Sequence, residues 1–139
     1  MLIYFFLACN GTKSWLNSKN IASFKDCTII EGNLIMLGVT FKGDPSFLIR
    51  PLVLKHLDNL NSVQEITGRF TIQESPVELK NLSFFKNLEV IGGRNEAVLG
   101  KSLFILKTQL EFLGLTKLKH IRNGNVVIKH NDNLCYAET

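Results

Sequence analysis

Apolar residues recur at every third position in four separate stretches of the chain. They are Ile21-x-x-Phe24-x-x-Cys27-x-x-Ile30, Leu57-x-x-Leu60-x-x-Val63-x-x-Ile66, Leu82-x-x-Phe85-x-x-Leu88-x-x-Ile91 and Phe112-x-x-Leu115-x-x-Leu118-x-x-Ile121. A glycine follows each figure, at Gly32, Gly68, Gly93 and Gly124. After three of these glycines the spacing changes from three to two, in the runs Leu34 to Leu37, Phe70 to Gln73 and Val126 to Lys129. The last apolar residue of each figure falls at 30, 66, 91 and 121, so the copies are 36, 25 and 30 residues apart. Four copies in one internal register make this a repeat protein.

The two spacings predict two kinds of local structure. A three-residue spacing suits a short helical or irregular segment with one buried stripe. Two-residue alternation suits a strand with one buried face, and the glycine between them allows a sharp corner. One unit cannot cover its own apolar face, so the units must stack and share a core. The pattern therefore predicts a β-rich repeat solenoid with parallel strands along one wall. By alternation, Leu34, Met36, Phe70, Ile72, Val126 and Ile128 face the core. Ile35, Leu37, Thr71, Gln73, Val127 and Lys129 face outward. That outer face is apolar with a polar rim, as protein-binding surfaces often are.

These segments carry a resemblance. Cys27-Thr28-Ile29-Ile30-Glu31-Gly32-Asn33-Leu34, Glu65-Ile66-Thr67-Gly68, Asn87-Leu88-Glu89-Val90-Ile91-Gly92-Gly93 and Asn133-Leu134-Cys135-Tyr136-Ala137 resemble a receptor L domain. More narrowly, they are similar to the second ligand-binding L domain of the epidermal growth factor receptor family. The likeness runs from about Cys9 to Thr139. It implies a right-handed β-helix-like, leucine-rich-repeat-like solenoid with short helical segments, on the extracellular side of a receptor whose tyrosine kinase lies outside this chain. It also implies that Cys9 pairs with Cys27, and that Cys135, whose partner in the family is a cysteine farther on, is free here. The implied partner is a peptide growth factor of epidermal-growth-factor type, with other modules of the same receptor beside it. The family's contact positions fall on Leu37, Val39, Asp44, Gln73 and Val127, with Asp44 facing a basic ligand residue. As a plain turn carboxylate after Gly43, Asp44 has an alternative role. Where the family has a histidine and an aromatic before the third strand, this chain has Val98 and Lys101, which implies a different ligand preference. The alternative reading is a stand-alone secreted L-domain module acting as a structural or decoy binder.

Composition narrows the function classes. The chain has 139 residues, 45% hydrophobic and 20% charged, with a formal charge of +4, which suits one globular domain. The basic residues are scattered, whereas a nucleic-acid binder clusters them on one stripe. No run approaches the ~20 apolar residues of a membrane span. Residues 1–8 form an apolar start that is too short, and lacks the basic beginning, for a signal peptide. They read as a truncated or mis-predicted start, and residues 9–139 as the domain without its last, capping turn. That reading leaves Leu118, Ile121, Val126, Ile128 and Leu134 partly open and predicts weak self-association.

Candidate chemistry is sparse. His56, His120 and His130 fall in different copies without ligand spacing. Ser102 lacks the G-x-S-x-G elbow, and Gly92-Gly93 and Asn123-Gly124 are corners, without a phosphate-loop pattern. Carbohydrate-cleaving solenoids need paired carboxylates on the wall, and no outward strand position here is acidic. The sequence thus predicts a non-catalytic binding domain without a cofactor or metal. Two glycosylation sequons, at Asn10 and Asn81, agree with a secreted context.

Overall fold

Each figure of the sequence becomes one tier of two parallel sheets. The structure, a computed structural model, describes residues 6–94 and 100–135. Residues 1–5 of the apolar start lie outside the described residues. Strand β1 (Ala8–Asn10) begins the first sheet. The first copy adds β2 (Ile29–Glu31) and β3 (Leu34–Met36), and the second adds β4 (Glu65–Ile66) and β5 (Phe70–Gln73). The third contributes β6 (Val90–Ile91) and β7 (Lys101–Leu106), and the fourth β8 (His120–Ile121) and β9 (Asn125–Lys129). One sheet has the order β1-β2-β4-β6-β8, the other β3-β5-β7-β9. Every pairing within these sheets is parallel.

The three-residue stripe is built from 3-10 turns, at Ile21–Phe24, Leu54–Leu60 and Ser83–Phe85. With three residues per turn, such turns keep positions i and i+3 on one side. The stripe then runs straight into the first sheet, where Ile30, Ile66, Ile91 and Ile121 lie in register on successive strands. All twelve stripe positions of the first three copies are buried, and Phe70 meets Phe85 edge-on with ring centroids 5.1 Å apart.

The corners work by close approach of neighbouring tiers. At Gly68 an added Cβ would stand 2.7 Å from the Gly32 carbonyl oxygen, closer than atoms of adjacent tiers tolerate. Only Gly32 and Gly93 among the four corner glycines have a positive φ, so tight stacking is the wider requirement. Side chains at the corners, and Asn87 after the third 3-10 turn, then satisfy backbone groups that the short elements leave over. Asn33 Oδ1 accepts the Arg69 N–H (2.8 Å), and Thr67 Oγ1 accepts the Gly32 N–H (2.9 Å). Asn87 and Asn123 donate to the carbonyls of Asn61 and Gly92, each at 2.7 Å.

The fourth copy departs from the expected register. Phe112 is 46% exposed, while Leu110 is buried and Leu113 packs against the core. No 3-10 turn forms around Phe112, so nothing holds the three-residue spacing, and Leu110 takes the inner place instead. Val126 was expected inside and is 47% exposed. It pairs with core-facing Leu103 on β7, but among the described residues no strand lies beyond β9 to cover it. Leu118, Ile121, Ile128 and Leu134 are half-buried for the same reason.

Leu118 therefore belongs to the edge of the core rather than its centre. Leu118→Ala should cost about 1–2 kcal/mol, below the ~2–5 kcal/mol of a fully buried leucine. Lys129→Ala, on an exposed side chain, should stay within about 0.5 kcal/mol. Urea unfolding of both variants reads the difference; equal losses would mean that the inward and outward faces are misassigned.

Candidate functional site

The outer face of the second sheet is where outward side chains gather. Its register puts Ile35, Thr71, Phe104 and Val127 in one row across β3, β5, β7 and β9. A second row holds Gln73, Leu106 and Lys129. Adjacent strands are only about 4.8 Å apart, so each row is a continuous strip of side chains. Phe104, Leu106, Ile35 and Val127 are half-buried, which leaves an apolar strip with a basic and amide edge.

Two concavities lie on or beside this face. One, of about 380 Å³, is lined among the described residues by Ser14, Ile35, Leu37, Arg69, Thr71, Gln73, Lys101 and Phe104. The other, of about 300 Å³, is lined by Leu37, Gly38, Val39, Lys42, Gln73 and Glu74. Leu37 and Gln73 border both. Leu37 leads into α1 (Gly38–Lys42), a single turn in which Thr40 is buried and its Oγ1 accepts the Leu37 N–H at 3.0 Å. This bond fixes the direction in which the chain leaves β3 and sets Val39 beside Gln73.

Of the residues singled out from the sequence, Leu37, Val39 and Gln73 thus come together around one rim. Val127 lies on the same face at the last strand. Asp44 lines neither concavity and stands on the loop after α1. Its Oδ1 accepts the Ser46 N–H at 3.0 Å, capping the 3-10 turn Pro45–Phe47, and its backbone bridges to Ile49. The local role of a turn carboxylate is therefore filled, and the loop it shapes lifts Phe47 and Leu48 into solvent at 64% and 83% exposure. Val98 lies outside the described residues, and Lys101 starts β7 with its ammonium 4.4 Å above the Phe104 ring.

Sequence reasoning missed Phe104 and Leu106. The run Leu103-Phe104-Ile105-Leu106 is apolar on both faces, so alternation does not announce it. Residues 94–100 also separate it from its corner glycine. The signal that finds it is the register of β5, whose Thr71 and Gln73 pair with Phe104 and Leu106.

The cysteines sit away from this face. Cys9 on β1 is bonded to Cys27, with Cα atoms 5.9 Å apart, which ties the first strand to the foot of the first copy. Cys135 is exposed and carries a free thiol. Asn10 is exposed at the end of β1, and Asn81 is half-buried with its Oδ1 accepting the Ser83 N–H at 2.9 Å. Among the described residues no group of three His, Cys, Asp or Glu side chains is placed to hold a metal ion. Among them, too, no helix is long and apolar enough to cross a membrane.

Comparison with known proteins gives this arrangement a family. The Receptor L domain profile matches residues 26–139. The chain is 44% identical over 140 residues to the epidermal growth factor receptor of Apis mellifera, covering 94% of this chain and 11% of that one. It is 42% identical over 124 residues to the epidermal growth factor receptor of Gallus gallus, covering 89% and 18% respectively. To the receptor tyrosine-protein kinase erbB-4 of Homo sapiens it is 42% identical over 140 residues, covering 95% and 11%. It thus spans between about a tenth and a fifth of these relatives. Stacked repeats and profile agree, and this chain belongs to the Receptor L domain family.

Proposed function

We propose that this chain is the second growth-factor-binding L domain of an epidermal-growth-factor-receptor-like receptor tyrosine kinase. It works on the extracellular face of the plasma membrane as a non-catalytic domain, with the kinase elsewhere in the parent protein. Its tiers coil as a right-handed β-helix-like, leucine-rich-repeat-like solenoid, and its outer wall takes a peptide growth factor of epidermal-growth-factor type. The observation that carries this reading is the strip Ile35, Phe104 and Val127 next to the rim of Leu37, Val39 and Gln73. An apolar strip with a polar edge, backed by a rigid sheet, presents contact area that a ligand can bury without first ordering it. Asp44 stands at the edge of the same approach and offers a carboxylate to a basic ligand residue. Glycans on Asn10 and Asn81 would lie off this wall, Asn10 being the better acceptor because its side chain is exposed.

Surface plasmon resonance with epidermal-growth-factor-type peptides tests the proposal. Phe104→Ala removes the aromatic at the centre of the strip, and truncation of such an anchor typically costs about 2 kcal/mol or more, roughly 30-fold in Kd. Phe104 faces outward, so the thermal midpoint should fall little. Unchanged affinity in a folded variant would take the binding surface off this wall.

A further inference from the structure

The chain's only tryptophan belongs neither to the buried core nor to the rows of the wall. Trp15 is half-buried in the segment that leads into the first copy, and its indole nitrogen is buried, so of the indole only carbon can face outward. Its carbonyl accepts from Asn17 Nδ2 at 3.3 Å and from Asn20 Nδ2 at 3.0 Å, and Asn20 Oδ1 accepts the Asn17 N–H at 2.8 Å. These bonds order the segment before anything binds, which lowers the cost of binding. Trp15 borders a concavity of about 600 Å³ that it shares, among the described residues, with Asn10, Thr12, Asn17, Asn20 and Ser23. An aromatic carbon face beside amides and hydroxyls suits a sugar ring, which has a C–H face and a rim of hydroxyls. Each of the two amide groups has a second N–H to donate.

A sugar has an attachment point at the same place. Asn10-Gly11-Thr12 is a glycosylation sequon, and Asn10 is exposed at the end of β1 on the border of that concavity. Resting on the extracellular reading of the domain, we propose that Trp15 seats the glycan carried by Asn10. The first N-acetylglucosamine packs on the carbon face of the indole and bonds to the Asn17 and Asn20 amides. Transfer from a lipid-pyrophosphate donor joins Asn10 Nδ2 to the anomeric carbon, with loss of one amide proton and departure of the lipid pyrophosphate. One sugar–aromatic contact is weak, but attachment makes it intramolecular, at an effective concentration on the order of millimolar. Trp15 is thus a positioning residue for the glycan.

The test uses the whole chain, secreted behind a cleavable signal from cells that add only high-mannose glycans. Ser83→Ala removes the other sequon and leaves the Asn81 bond to the backbone N–H of residue 83 in place. Endoglycosidase H then leaves a single N-acetylglucosamine on Asn10, whereas Asn10→Gln carries none. Because Trp15 is the only tryptophan, its fluorescence reads this one contact. With the sugar present, acrylamide quenching should fall and the emission should move to shorter wavelength. The sugar should raise the thermal midpoint by about 2–5 °C, and by less than about half as much in Trp15→Leu, as coupling requires. Where Trp15→Leu does not fold, the quenching comparison decides alone. Equal quenching with and without the sugar, an equal rise in Trp15→Leu, or a secreted chain unmodified at Asn10 overturns the proposal. None of these results touches the peptide-binding wall, whose own test is the affinity of Phe104→Ala.

Discussion

Phe85→Ala should destabilise the domain by about 3–5 kcal/mol, a large part of the ~5–15 kcal/mol that holds most domains folded. Phe85 is fully buried on the third 3-10 turn, edge-on to Phe70 of β5 at 5.1 Å and tilted against Phe84 at 4.9 Å. It therefore joins the third copy's stripe to the second copy's wall strand, across the width of the core. Removing the ring takes away buried apolar area, the edge-to-face contact, and the filling of a space that rigid sheets cannot collapse to close. Phe84 remains, 7% exposed, and covers the position only from the side. Guanidinium unfolding followed by circular dichroism should show the midpoint falling sharply. A loss below about 1 kcal/mol, well under the cost of an unfilled cavity, would mean that the tiers repack, and that the two sheets are not held rigidly against one core.

Breaking the Cys9–Cys27 bond is the second large effect. The bridge spans a sequence separation of 18, and a loop of that size is worth about 3 kcal/mol through the freedom it removes from the unfolded chain. The native state also depends on it. Strand β1 is three residues long and among the described residues pairs only with β2, and Cys27 is buried at the base of the first stripe. Replacing both cysteines by serine would leave a buried hydroxyl at position 27 where an apolar sulfur stood, so Cys9→Ala with Cys27→Ala is the cleaner change. That variant should lower stability by about 3 kcal/mol, and hydrogen exchange should accelerate first in β1 and β2. Uniform acceleration across both sheets would mean that the bridge does not act locally.

The repeat was legible because its apolar positions coincide with the turns of 3-10 geometry and its glycines with close tier-to-tier approach. Ile30, Ile66 and Ile91 were found as core positions for that reason. That they also build a sheet was not legible. Strands of two or three residues carry no periodicity of their own, and their extended form is imposed by a neighbour in the next tier. Phe112 misleads because no turn enforces the three-residue spacing there, and the residues that turn inward are Leu110 and Leu113 on either side of it.

The wall was legible in part. Alternation puts Thr71, Gln73 and Val127 outside, and the register sets them in the outer rows, while Leu37 lies just past the paired residues of β3. Phe104 and Leu106 were hidden by an unbroken apolar run and by the residues inserted before it. The hydroxyl of Thr71 is that of any strand threonine in the sequence, and its burial without a hydrogen-bond partner among the described residues is set by neighbouring tiers. Asp44 shows the opposite case: its cap on Ser46 is a short-range bond that the Gly-Asp-Pro-Ser sequence already suggests.

Docking of a growth-factor peptide on the outer face of the β3-β5-β7-β9 sheet is tested most directly by an NMR titration. With the chain 15N-labelled and an epidermal-growth-factor-type peptide added, amide shifts should concentrate at Ile35 to Val39, Thr71 to Gln73, Phe104 to Leu106 and Val127, with weaker changes near Asp44. The amides of β2, β4 and β6, on the other sheet, should stay in place. Shifts centred on those strands, or saturation without any change along the Ile35–Thr71–Phe104–Val127 row, would contradict the account.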